Sequence, residues 1–232
     1  MLTKENFNES HKLRGMEVEG VDTCMLKEYL EKNYGYNEPI YLNEVRLEGL
    51  SDNALRQYFK QMLGAGDLAR FDTGIYYLPK VPRLLKKSYL DPMKVIIRKY
   101  IQSTTETYGY FAGATFANQI GLTTQMPATL EIVTSKESTE GRTVTVGSQA
   151  VRLKRSVTTI TSENAGLLQF LDAVFHAEKY SELSNSDTGI LLKNYAKQRN
   201  YSKELLSSVL SGITGSAAIK LIEWGIIYEF TS

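Results

Sequence analysis

The sequence predicts an α+β chain built in two parts, and three observations carry that reading. A capped amphipathic helix over residues 51–63 runs directly into a short glycine-turned hairpin. After a basic, proline-containing stretch, strand-like runs recur at 129–134, 142–146 and 149–154. From Ser162 onward the apolar spacing turns helical and stays so. The expected organisation is a loose N-terminal arm (1–20), a reading domain (21–80), a basic linker (81–91) and an α+β domain (92–232). That last domain is expected to hold a small antiparallel sheet followed by a helical C-terminal part.

The first part is argued element by element. Residues 22–32 (DTCMLKEYLEK) place Met25 and Tyr29, with Leu26 and Leu30 beside them, at helical spacing. Residues 38–45 (EPIYLNEV) form a second, shorter helix candidate opened by Pro39, a residue tolerated in a first turn. The third helix starts at Ser51 or Asp52, whose side-chain oxygens can cap unpaired amides. Gly64 and Gly66 are expected to stop it. Leu55, Phe59, Met62 and Leu63 fall on one stripe; Asn53, Arg56, Gln57 and Lys60 fall on the opposite one, uninterrupted by any acid. Residues 68–72 and 75–78 then read as two short strands around Thr73-Gly74. Helix, short helix, turn, helix, hairpin is the order of a winged helix-turn-helix, in which the third helix enters the major groove of DNA.

Residue chemistry on that third helix fits the role. Arginine, asparagine and glutamine can reach base edges, and lysine and arginine neutralise phosphates. Arg56 and Gln57 are therefore the candidate base readers, Asn53 a third reader, Lys60 a phosphate contact, and Arg70 the wing's own basic residue. The charge distribution adds a second region. Residues 1–80 carry a net −3, 81–155 a net +6 and 156–232 a net −2, which leaves the whole chain at +1. That total excludes a generally sticky, histone-like binder. The positive middle concentrates at Lys86 and Lys87 and again at Arg152, Lys154 and Arg155, a candidate phosphate-contacting patch. Strand alternation puts Arg152 and Lys154 on one face.

In the second part, residues 92–102 form an amphipathic helix with Val95, Ile96 and Tyr100 on its apolar side. Residues 114–120 read as a helix of small residues, 129–134 as a strand with Leu130 and Ile132 on one face. Residues 142–146 and 149–154 read as a hairpin across Gly147-Ser148, with Val144, Val146, Val151 and Leu153 as its apolar members. Helices are expected at about 165–177, 188–198 and 203–210, with a last apolar stretch around 219–228. Four of the 15 tyrosines (Tyr89, Tyr100, Tyr108, Tyr110) lie close in sequence here, enough for an aromatic pocket.

Other function classes find little support. No apolar run approaches the roughly 20 residues of a membrane span, and residues 1–20 lack the apolar core of a signal peptide, so a cytoplasmic location is expected. The single cysteine, Cys24, sits among apolar helix residues and reads as a small buried hydrophobe. Gly147-Ser148 is not followed by the paired aspartates a nucleotidyltransferase needs for magnesium, and Glu131 and Lys136 are poor nuclease candidates without a preceding aspartate. With only His11 and His176, a zinc site or a Ser-His-Asp triad is poorly supplied. The glycine runs at 64–66 and 109–113 lack the phosphate-loop pattern. The chain is therefore expected to be no enzyme, with no cofactor and no metal.

The stretches ALRQYFKQMLGAGDLARFDTGIYYLPK, FAGATFANQIGLTTQMPATLEIVT and RTVTVGSQAVRLKR together resemble the AbiEi-type antitoxins of abortive-infection, type IV toxin-antitoxin systems. The resemblance covers about residues 22–180, with ANQIGLTTQMPA its most specific piece. The wing, ARFDTG, holds one arginine and one aspartate, less positive charge than is usual in that family. The resemblance implies a repressor of its own operon that binds inverted repeats in double-stranded DNA, two copies per operator. It also implies a second domain that counteracts a nucleotidyltransferase-like toxin without a stable complex. The alternative is a winged-helix transcriptional regulator whose second domain senses a small molecule or a protein partner, with no toxin.

Overall fold

The computed structural model describes residues 23–81, 88–139, 141–209 and 215–231. It is mixed α and β, and it divides into two compact units between Leu90 and Asp91.

In the first unit, α1 (Thr23–Asn33) leads to β1 (Ile40–Tyr41), α2 (Asp52–Ala65) and the strands β2 (Ala69–Asp72) and β3 (Ile75–Tyr77). The three strands form one antiparallel sheet in the order β1-β3-β2. Ser51 caps α2 by accepting from the Ala54 amide at 3.3 Å. At the other end Gly66, at φ 81°, adopts the left-handed conformation that suits glycine. Gly64, expected as part of the stop, lies inside the helix instead. Leu55, Phe59 and Met62 are buried with Leu26, Leu30, Ile40 and Leu78, and Phe59 meets Tyr76 edge-on at 5.1 Å.

Three further expectations fail in this unit. Residues 38–45 are not a helix: Ile40 and Tyr41 pair with Tyr76 and Ile75, and hydrogen-bonded turns follow. The cause is tertiary. The Asn37 amide donates to the Leu78 carbonyl at 2.9 Å, and its side chain exchanges hydrogen bonds with the Lys80 backbone, pinning the chain beside β3 before Pro39 can start a helical turn. Ile40, fully buried, then gains more from the sheet and core than from a short exposed helix. On α1 the inward stripe is Leu26 and Leu30; Met25 is 51% exposed and Tyr29 only half-buried. Cys24 faces outward on the same turn as Met25 and is exposed, not a core residue.

The second unit holds α3 (Pro92–Tyr100), β4 (Gly109–Phe111), α4 (Gly113–Gln119), β5 (Thr129–Thr134), β6 (Arg142–Val146) and β7 (Gln149–Arg155). After them come α5 (Ala165–Tyr180), α6 (Asn185–Arg199), α7 (Lys203–Val209), α8 (Gly215–Glu223) and a 3-10 turn (Ile226–Glu229). The sheet order is β4-β5-β7-β6, and it is mixed, where an antiparallel sheet was expected: β5 and β7 run parallel. The β6–β7 hairpin folds so that β7 lies inside, beside β5. That register sets Leu130 against Val151 and Ile132 against Leu153, joining the apolar residues of both strands on one face. The same register places Glu131, Arg152 and Lys154 on the other face.

The helices after the sheet pack around Leu167, Phe170, Val174, Leu192, Leu206 and Ile226. Gly189 is needed there for space, since a Cβ would sit 2.6 Å from the Trp224 ring. A separate clasp closes the loop before β6. The Glu137 carboxylate, 3% exposed, accepts from the Arg142 guanidinium at 2.7 Å and from the Ser138 and Thr139 amides and the Thr139 hydroxyl. These donors, Arg142 first, pull its pKa down to about 2.

Candidate nucleic-acid interface and a basic strand

α2 presents two unlike faces. Its inner stripe is core, and Asn53, Arg56, Gln57 and Lys60 all lie exposed on the outer side. None of the four forms a side-chain hydrogen bond or ion pair with a described residue, so their donors are available to a ligand. Four residues spanning i to i+7 cover about 10 Å of helix axis, the length of roughly three base-pair steps. The hairpin β2–β3 follows α2 after three residues. Its basic residue is folded back on the turn: the Arg70 Nε donates to the Asp72 carbonyl at 3.3 Å and its Nη2 to the Thr73 hydroxyl at 3.1 Å. The Thr73 amide in turn donates to the Asp72 carboxylate at 2.7 Å. As it stands, Arg70 stiffens the turn.

The basic residues of β7 are not equivalent. Arg152 and Arg155 are exposed and unpaired among the described residues, while Lys154 lies 2.7 Å from the Glu131 carboxylate on the neighbouring strand. Glu131 also accepts from the Tyr180 hydroxyl at 3.1 Å and the Ala114 amide at 3.3 Å. Burial alone would push this carboxyl up; Lys154, Ala114 and Tyr180 hold it below the usual carboxylate range. Arg152, Lys154, Glu131, Thr143, Lys179 and Tyr180 line one polar cleft of about 390 Å³. Lys86 and Lys87 lie outside the described residues.

Tyr110, one of the tyrosines expected to form an aromatic pocket, and Asp172, a residue the sequence reading did not single out, line a second cleft with His176. The His176 Nδ1 lies 3.2 Å from an Asp172 carboxylate oxygen, and the other oxygen accepts from the Gly113 amide at 3.4 Å. The aspartate's hydrogen bond raises the imidazole's pKa against the effect of burial. The i,i+4 spacing of Asp172 and His176 on α5 was the available signal in the sequence. Glu131 and Lys136, paired in the nuclease consideration, serve elsewhere: Glu131 takes Lys154, and Lys136 sits over the Tyr108 ring at 3.7 Å. Among the described residues no group of three or more His, Cys, Asp or Glu side chains converges to hold a metal ion, and no helix is long and apolar enough to cross a membrane.

The chain matches no protein-family model, and the comparison with curated proteins returns no match.

Proposed function

We propose that this protein is a cytoplasmic, non-enzymatic DNA-binding autorepressor, its first unit acting as a winged helix-turn-helix, and that it serves as the antitoxin of a type IV toxin-antitoxin system against a nucleotidyltransferase-like toxin. The observation that carries the DNA reading is α2 itself: a helix anchored by Leu55, Phe59 and Met62 whose outer face is Asn53, Arg56, Gln57 and Lys60, all exposed, with a hairpin immediately after it. Strand β1 and turns occupy the stretch where a middle helix was expected, and α2 packs against Leu26 and Leu30 of α1 and, through Phe59, on Tyr76 of β3. About three base-pair steps per helix is too short a word for an operator, which favours two copies on an inverted repeat with half-sites roughly 34–36 Å apart. The antitoxin role rests on the resemblance around ANQIGLTTQMPA.

The test is fluorescence anisotropy of the full chain on its own upstream DNA against random duplex. A preference of at least roughly tenfold at moderate salt is expected; equal binding to both sinks the repressor reading. Growth on co-expression with a neighbouring nucleotidyltransferase gene tests the antitoxin role, and failure to rescue would reject it.

One observation favours a second reading, a regulator whose second unit senses a small molecule. Tyr110 and His176 line an apolar cleft in that unit.

A further inference from the structure

We propose that the cleft between β4, the segment after β7 and α5 is a binding site for a small carboxylic acid with an aromatic or compact aliphatic body. The inference gives chemistry to the second reading, the sensing unit, and does not depend on operator binding by α2.

The walls are apolar: Leu168, Leu171 and Phe175 from α5, and Val157 from the segment after β7. Val157 is 84% exposed and Phe175 37%, so two large apolar side chains sit at a rim in water where a ligand would cover them. The space is about 210 Å³. A cavity of about 150 Å³ already holds benzene, so the volume accommodates a six-membered ring with one small substituent.

The polar groups fix what that substituent is. The Tyr110 side chain is half-buried, and its hydroxyl forms no hydrogen bond with any described residue. His176 uses Nδ1 on Asp172, which leaves Nε2 without a partner among the described residues. Asp172 also lines the cleft, with one oxygen on His176 and the other accepting from the Gly113 amide. The open capacity of the cleft is then a phenol hydroxyl and an imidazole nitrogen that, with Asp172 behind the ring, carries a proton readily. Burial first, and then the nearby Asp172 carboxylate, push the Tyr110 phenol above its ordinary value, so it remains a neutral donor. Two donors over an apolar floor suit an acceptor pair, and a carboxylate is the compact group that supplies one. A protonated amine has no acceptor for the imidazolium N–H and would set a second positive charge beside it, so it should bind more weakly than a carboxylate.

The test uses the full chain, ¹⁵N-labelled, titrated by NMR with benzoate, toluene and benzylamine. Benzoate is expected to shift amides at 156–158 and 171–176, toluene to shift the same set more weakly, and benzylamine to leave them unmoved. Tyr110→Phe keeps the ring and removes the hydroxyl; it should weaken benzoate binding roughly tenfold and leave toluene binding unchanged. His176→Gln should weaken benzoate comparably, with the far-ultraviolet circular dichroism retained as the check on folding. No benzoate shift up to about 10 mM, shifts confined to other segments, or equal benzoate affinity in Tyr110→Phe would each overturn the proposal. None of these readouts involves DNA, so failure here and failure of operator binding are separately visible.

Discussion

The outer face of α2 and the outer face of β7 look alike as sequence, each a short row of basic and polar residues, yet they are different physical objects. On α2 the four polar side chains stand in water with no partner among the described residues, while the stripe behind them supplies the anchoring. On β7 the row is split. Lys154 is locked to Glu131, which Tyr180 and Ala114 also hold, while Arg152 on the same face, and Arg155 on the other, have no partner among the described residues. A count of positive residues treats all of these as equal. What a ligand meets is only the charge that the protein has not already used, and that is decided by strand pairing.

The largest effect should come from the anchoring side of the comparison. Phe59→Ala removes a side chain that is 1% exposed and packed on Tyr76, and should cost about 3–5 kcal/mol in urea unfolding. If it costs less than about 1 kcal/mol, α2 is not held by this stripe. On β7, Lys154→Glu would set two carboxylates against each other in a half-buried place. Part of that repulsion is screened by solvent, so a loss of about 2–3 kcal/mol in the same assay is expected. An unchanged midpoint would mean that the ion pair contributes nothing to the second unit.

The outer face of α2 should behave in the opposite way, with little effect on stability and a clear one on binding. Arg56→Ala should weaken operator binding by about 1–3 kcal/mol and loosen preference at one base, whereas Lys60→Ala should weaken all duplexes alike and reduce the salt slope by about one. Salt-dependent anisotropy on matched and single-substituted operators reads both. If Arg56→Ala lowers affinity equally for every sequence, Arg56 contacts phosphate and base reading must be assigned elsewhere.

These contrasts also explain what was legible in the sequence. The ends and stripes of α2 were, because a serine cap, a left-handed glycine and 3.6-residue spacing are all local. So were the strand 129–134 and the hairpin around Gly147-Ser148. The strand β1 was not: its reason is Tyr76 and Ile75, some 35 positions away, together with the Asn37 clasp to Leu78 and Lys80. The parallel pairing of β5 with β7 and the resulting Glu131–Lys154 pair were hidden for the same reason, since alternation gives a strand's faces but not its neighbour. Arg70 illustrates a smaller version, a hairpin arginine whose donors are taken by Asp72 and Thr73 within the same turn. Asp172 was within reach, four residues before His176 on one helix, but His176 was weighed only for zinc or a triad and Asp172 alone resembles no motif.

Acid provides a test in the loop preceding β6. Because Glu137 titrates at about 2 when folded and at an ordinary carboxylate value when unfolded, its clasp is fully present above the unfolded value and is lost as pH falls toward 2. The acid limb of a thermal stability profile should therefore flatten in Glu137→Gln relative to wild type. Parallel acid limbs would mean that Arg142 and Thr139 do not hold this carboxylate in solution.

The smallest expected change in stability is at the residue beside the ion pair. Arg152→Glu reverses an exposed charge that has no partner among the described residues, so stability should change by no more than about 0.5 kcal/mol, as is typical of surface positions, and the melting temperature should barely move. Its polar cleft, however, changes by two charges, next to Lys179 and the already neutralised Lys154. If the free cations of this strand contact phosphate, Arg152→Glu should lower DNA affinity and its salt slope while leaving the fold intact. If instead the strand serves toxin antagonism, DNA binding should stay at the wild-type value and growth rescue should fall. A drop in melting temperature comparable to that of Lys154→Glu would mean that Arg152, too, is held by the protein, and the distinction drawn between used and unused charge on β7 would not stand.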